Sequence, residues 1–169
     1  MGKRTTKLDR MVAVHEAGHA VVAMALRQAF ERVTIEPDLP GSLGHVHQPW
    51  AKSVDTYSPD GRGRRYIEDR VIVLLAGHRA AKKDAGRAAF GQGADRRSAV
   101  ELLFILSGSS EEVRAWYALQ EVRAKMYVDR EWHAIEALAE ELLRRRRMTY
   151  RQARNVYREA HALPPPPGS

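Results

Sequence analysis

The N-terminal part of the chain contains the pattern from which the rest can be interpreted, Val12-Ala13-Val14-His15-Glu16-Ala17-Gly18-His19-Ala20-Val21-Val22. A capping-box sequence, Thr6-Lys7-Leu8-Asp9, comes just before it, and apolar residues continue to Leu26. Together they predict a first helix from about Lys7 to Gln28. Gly18 in a helix interior costs about 1 kcal/mol relative to alanine, so we expect a second segment to pack closely against it.

This helix carries an H-E-x-x-H motif. His15 and His19 are four residues apart, so both imidazoles lie on one face of the helix and can reach one metal ion. Glu16 is rotated by about 100 degrees from His15, beside the metal position, where its carboxylate can take a proton from an attacking water molecule. The motif therefore indicates Zn²⁺ and hydrolysis. The alternative interpretation is two ordinary core histidines on an apolar helix face, near Met11.

A catalytic zinc site takes a third protein ligand, which two histidines do not supply. The chain has no cysteine, so this ligand must be a histidine or a carboxylate. The candidates are His45 and His47 on one face of a predicted strand, His78 on a predicted second helix, and Asp95 in the first turn of a predicted third helix. Spacing alone slightly favours an ordinary helix N-cap for Asp95.

Two short segments alternate in the manner of strands. They are Arg32–Glu36 and Leu43–His47, separated by turn-forming residues at 37–41, and we expect them to pair antiparallel. A turn at 58–61 then precedes apolar residues at helical spacing, which predict a second helix ending near Asp84.

The remainder of the chain is predicted to be helical. Three glycines indicate a loop at 86–93, which leads into a third helix with its body at Ala99–Leu106. A further helix is predicted to start at Ser109–Glu112, and helix formers continue from Val113 to Arg147 with a break near Asp129. A last helix begins with capping-box spacing at Thr149 and ends before Pro164.

These elements predict an α+β fold that is mostly α-helical, with the H-E-x-x-H helix packed near a small β-sheet and a helical C-terminal half. A chain of 169 residues fits one domain, here residues 1–163. The Pro-rich tail at 164–169 is expected to be disordered.

The charge and the apolar content of the chain limit the kinds of partner that it is expected to bind. A net charge of +7 is compatible with an anionic partner, but the densest basic run, 144–147, lies among glutamates and is typical of a solvated helix face. No apolar stretch approaches the roughly 20 residues that cross a bilayer, and the first residues lack the apolar segment of a secretory signal. We therefore expect a cytoplasmic protein with no membrane partner.

Four segments, in the same order, resemble the FtsH-type ATP-dependent zinc metalloproteases, peptidase family M41. They are residues 12–22, Gly-Ser-Leu-Gly-His-Val at 41–46, Arg-Val-Ile-Val-Leu-Leu-Ala-Gly-His-Arg-Ala-Ala at 70–81, and Gly-Gln-Gly-Ala-Asp at 91–95. The resemblance implies that Asp95 is the third zinc ligand beside His15 and His19, and that Glu16 is the catalytic base. It weakens after Leu106.

The chain departs from this family in several places. Ala94 stands where the family has a polar residue before the ligand aspartate, and Lys82-Lys83 stands where the family has an acidic pair. These two differences bear on substrate handling and subunit contacts. They leave the zinc ligands in place. There is no Gly-x-x-x-x-Gly-Lys phosphate loop and no spanning segment. We therefore expect zinc-dependent cleavage of flexible or unfolded peptides, without ATP unless another chain supplies a motor.

Two other classes of function stay open. One is a non-catalytic peptide-binding or adaptor module that retains the zinc site, although a purely structural site would not need Glu16. The other is a nucleic-acid-associated regulator, suggested only by the charge, since no helix-turn-helix or aromatic-basic platform stands out. A separate ATPase or adaptor chain and a homo-oligomer are the further partners that the resemblance implies.

Overall fold

The computed structural model describes residues 6–37, 44–47, 61–86 and 92–162, and it has the mostly helical α+β architecture that the sequence predicts. In chain order its elements are α1 (Lys7–Ala25), β1 (Arg32–Thr34), β2 (His45–His47), α2 (Arg62–Ala85), α3 (Gln92–Leu106), α4 (Ser110–Arg130), α5 (Trp132–Arg145), β3 (Arg147–Thr149) and α6 (Tyr150–Ala162).

The first helix begins where the sequence predicts. The hydroxyl of Thr6 accepts a hydrogen bond from the Asp9 amide at 3.0 Å, and the Asp9 carboxylate accepts one from the Thr6 amide at 3.1 Å. The helix ends at Ala25, three residues before the predicted end at Gln28. Arg27 has a φ of +58°, in the left-handed region that a right-handed helix cannot continue through.

Helix α1 is the centre of the core, because its residues from Val12 to Met24 are all buried and α2 and α5 both pack against it. The expected close approach at Gly18 is confirmed. A Cβ atom on Gly18 would lie 2.7 Å from the Cβ of Ala80 and 3.0 Å from the carbonyl oxygen of Ala76, both on α2. The absent side chain at Gly18 therefore lets the two helix backbones come together.

The sheet has the antiparallel order β2-β1-β3, with Val33 opposite Val46 on one side and Met148 on the other. The predicted pairing of the first two strands is confirmed. The prediction of helix as far as Arg147 was wrong at its end, because α5 stops at Arg145 and the chain turns at Arg146, whose φ is +66°. A three-residue strand such as β3 is too short to show a periodicity of its own.

The predicted C-terminal helix boundaries are otherwise confirmed. The Ser109 hydroxyl caps α4 by accepting from the Glu112 amide, and α4 gives way to α5 at Glu131. At the start of α6, Thr149 and Gln152 each bond the other's backbone amide through their side chains, a second capping box. In the basic run, Arg144 and Arg145 bond Glu141 on the solvated face of α5.

Several sequence predictions fall on residues outside the described ranges. These are most of the turns at 37–41 and 58–61 and the whole tail at 164–169. The predicted loop at 86–93 is too long, because α3 already begins at Gln92 and Gly93 is helical. None of the helices described is both long enough and apolar enough to cross a membrane.

Candidate metal centre

The fold brings His15 and His19 of α1 against Asp95 of α3. The two Nε2 atoms are 3.0 Å apart, and Asp95 Oδ2 lies 3.2 Å from Nε2 of His15 and 3.3 Å from Nε2 of His19. Zinc binds such nitrogen and oxygen ligands at about 2.0–2.1 Å, and tetrahedral ligands at that radius lie about 3.3 Å from one another. The three atoms therefore form a triangle of the size that surrounds one zinc ion.

The hydrogen bonds of His19 give a second test of this fit. Its Nδ1 atom lies 2.7 Å from the backbone carbonyl oxygen of Val73, which can only accept, so Nδ1 carries a hydrogen. The Nε2 atom of a neutral His19 then presents a lone pair to the triangle. A histidine whose Nδ1–H is held by a backbone carbonyl is the usual arrangement of an Nε2 metal ligand.

Asp95 does not act as the helix N-cap that spacing alone favoured. It lies within the first turn of α3, three residues after Gln92, and its carboxylate turns toward α1. The other candidate third ligands lie outside this cluster. His47 of β2 has its Nδ1 atom 2.6 Å from a carboxylate oxygen of Glu31, His45 lies beside His47, and His78 of α2 lines a neighbouring cavity.

Two glycines shape the walls of the centre. A Cβ atom on Gly77 of α2 would overlap the His19 ring, so glycine at this position lets the imidazole reach the Val73 carbonyl. A Cβ atom on Gly44, just before β2, would lie 2.9 Å from the Cγ atom of Glu16. Sequence analysis placed both glycines in motifs without assigning them a role, because the contacts join segments that are distant in the chain.

The charges of the centre are strongly coupled. Burial raises the pKa of Glu16 to about 8, with His19 opposing the shift and Asp95 adding to it. Burial lowers the pKa of His19, but the Asp95 carboxylate, together with Glu16 and the Val73 carbonyl, outweighs burial and brings the value to about 9. The pKa of Asp95 is held below its ordinary value, against its own burial, by the two histidines. Without a metal, the positive charge of a protonated His19 thus balances the negative charge of the Asp95 carboxylate. A bound divalent cation would displace that proton.

Comparison with known proteins gives one partial likeness. The chain is 34% identical to ATP-dependent zinc metalloprotease FtsH 2 of Sorangium cellulosum (strain So ce56) over 104 residues, which is 60% of this chain and 16% of that protein. No protein family model matches the chain. The likeness suggests a relation to FtsH over part of this chain, and it spans less than a fifth of the length of that relative.

Proposed function

We propose that this protein is a zinc-dependent metallopeptidase that hydrolyses peptide bonds in flexible or unfolded segments. The observation that carries the proposal is a buried carboxylate, Glu16, on the same helix as two histidines that converge with Asp95 on one point. A structural zinc site would use all its positions for protein ligands and would have no use for a neighbouring base. The likeness to a zinc metalloprotease supports the same conclusion.

His15, His19 and Asp95 would hold the ion. Bound there, zinc would lower the pKa of a water molecule and polarise the carbonyl of the scissile peptide bond. Glu16 takes a proton from the attacking water and later delivers it to the leaving amine. Burial raises the pKa of Glu16 and so strengthens its carboxylate as a base, while the positive charge of a bound zinc ion would keep that carboxylate ionised at neutral pH.

The position of β2 supports an extended peptide as the substrate. Within the described sheet β2 is an edge strand, paired with β1 on one side only. Gly44 lies immediately before β2, and a Cβ atom added to it would be only 2.9 Å from the Cγ atom of Glu16. A substrate strand that paired with β2 would lie beside the catalytic carboxylate, and main-chain hydrogen bonds would give it affinity with little sequence selectivity.

The proposal determines which substrates the protein would cleave alone and which would require a partner. A flexible peptide can enter an edge-strand site without being unfolded, so its cleavage needs no ATP. Cleavage of a stably folded protein would require an ATPase motor, whether from a separate chain or through an adaptor. An assembly of several copies would be detected by light scattering of the purified protein.

The variant Glu16→Gln tests the assigned role. It should retain one zinc per chain and lose at least about a hundredfold in cleavage rate, since general-base catalysis contributes about 10²–10⁴-fold. Zinc content is measured by mass spectrometry, and cleavage is followed with a quenched-fluorescence peptide library and an unstructured protein. Glu101→Gln, an exposed carboxylate on α3, is the matched control.

Two results would contradict the proposal. Unchanged cleavage by Glu16→Gln would show that Glu16 is not the base. Binding of peptides by the zinc-loaded natural protein, with no cleavage under any condition, would identify an adaptor module in place of an enzyme.

A further inference from the structure

A cavity of about 200 Å³ lies beside the metal centre, enclosed by α2, α3 and α4, and Asp95 forms part of its wall. We call it the α3 cavity. Its other lining residues are Leu74, Leu75, His78, Arg96, Tyr117 and Glu121. Because Asp95 belongs to both the ligand triangle and this wall, a group in the cavity would be next to whatever reacts at the metal.

The lining of the α3 cavity carries one cation, Arg96, and two carboxylates, Asp95 and Glu121, and further cations lie around it. The pKa of His78 is lowered first by burial and then by the positive charges of Arg79, Lys82 and Arg96, while Glu121 opposes them. The Glu121 carboxylate is itself paired with Arg79 at 3.1 Å. With Asp95 committed to a metal ion, a positive potential remains at the cavity.

Arg96 is the cation best placed to use this potential. Its guanidinium lies 5.6 Å from the centre of the Tyr117 ring, a cation–π contact that orients the group. The side chain is exposed, and no carboxylate of the described residues forms an ion pair with it. A planar guanidinium held on an aromatic face presents two parallel N–H donors, which match the two oxygens of a carboxylate.

The apolar part of the lining complements this polar end. Leu74 and Leu75 offer a surface for methylene groups, and the volume accommodates one side chain. We propose that the α3 cavity binds a carboxylate of the peptide substrate through Arg96, with the side chain of a glutamate or aspartate next to the scissile bond as its main source. This inference rests on the proposed function, since it assigns a specificity to the same site.

Binding is measured separately from cleavage. The zinc-loaded Glu16→Gln protein is titrated with fluorescent peptides, blocked at both ends, that differ only in glutamate, glutamine or lysine at one position. The glutamate peptide should bind about tenfold more tightly than the glutamine peptide, the gain typical of a charge-assisted contact. Adding Arg96→Gln should abolish this preference, and Arg96→Glu should reverse it in favour of lysine.

Arg97→Glu is the matched control. It makes the same charge change at the next residue of α3, which is also exposed but does not line the cavity, and it should preserve the glutamate preference. Equal affinity for glutamate and glutamine peptides would overturn the inference. An Arg97→Glu effect as large as that of Arg96→Glu would also overturn it, because net charge would then explain the preference.

A further peptide distinguishes the two sources of a carboxylate. It has no acidic side chain but a free C-terminus, and tight Arg96-dependent binding of this peptide alone would make the terminal carboxylate the ligand of the cavity.

The protein with Glu16 intact is assayed for cleavage in parallel. Glutamate-selective binding without cleavage would support the cavity and overturn the peptidase, whereas cleavage without any acidic preference would do the reverse.

Discussion

His19 is oriented by two contacts from α2 that do not depend on a bound metal. The Val73 carbonyl accepts a hydrogen bond from its Nδ1, and the missing side chain of Gly77 leaves room for its ring. The ring is buried and has little freedom left to lose. Metal binding at this residue therefore needs the displacement of a proton rather than a rearrangement of the side chain.

At the same scale, Asp95→Asn tests the third ligand. The amide keeps the size of the side chain but removes the negative charge that completes the donor set. We expect zinc affinity to fall by at least about a hundredfold. Losing a residue that only hydrogen-bonds a metal ligand typically lowers metal affinity by about 10–100-fold, and the loss of a ligand charge should exceed that. Competition with a fluorescent zinc chelator measures the change.

The control for this variant is Asp129→Asn, which removes a surface carboxylate that bonds Lys83 and Lys125. Such exposed pairs contribute at most about 1 kcal/mol to stability, so zinc binding should be unaffected. If Asp95→Asn instead bound zinc as tightly as the natural protein, the third ligand would have to be sought at His78, His45 or another carboxylate.

At the scale of elements, the contact between α1 and α2 determines the geometry of the centre. Gly18 faces Ala76, Gly77 and Ala80, and the next residue of α1, His19, packs against Gly77. Small residues on both helices bring the backbones close enough for an α2 carbonyl to reach a side chain of α1. Larger residues would separate the helices and break that hydrogen bond.

Gly18→Ala tests this contact. Alanine gains about 1 kcal/mol of helix propensity, but its Cβ would lie 2.7 Å from that of Ala80 and overpacking costs about 1–3 kcal/mol. We expect a net loss of about 1 kcal/mol in the free energy of unfolding, measured in urea. Gly93→Ala on α3, where an added Cβ meets nothing within 4 Å, should be neutral or stabilising. Equal stabilisation by both substitutions would show that the helices are not in close contact at Gly18.

At the scale of the whole molecule, a metal ion would strengthen the link between α1 and α3, which without the ion are joined where Asp95 contacts His15 and His19. Helix α3 packs on α2 and α4, whereas its Asp95 would share an ion with two residues of α1. The ion would therefore act as a link between the core helix and the N-terminal turn of α3. Neither α5 nor α6 contributes a residue to that ligand group.

Metal removal should reveal this organisation. Zinc at a hundred times its dissociation constant adds about 2.7 kcal/mol to the free energy of unfolding, which corresponds to a melting temperature roughly 5–10 °C higher for a domain of this size. Chelation should reverse the increase. Hydrogen exchange should then accelerate at amides of residues 92–98 and much less in α6, and uniform acceleration throughout the chain would contradict a local link.

The prediction from sequence was most successful where the signals are local. The capping boxes at Thr6 and Thr149 and the cap at Ser109 each join residues three apart, and all three are present. The strand β3 was missed because Met148 is buried by pairing with Val33, far away in the chain. The start of α3 was placed too late because its first turn contains Gly93, which local propensity assigns to a loop.

The sequence by itself determined the helix that presents His15, Glu16 and His19, because helical periodicity is a property of neighbouring residues. It also named Asp95, by resemblance, as one of several third-ligand candidates. Only the tertiary structure decided that Asp95 faces His15 across 80 residues of chain, and that Val73 holds His19 across 54. Such contacts depend on how α2 and α3 pack against α1, and packing is settled by the shape of the whole core rather than by any local pattern.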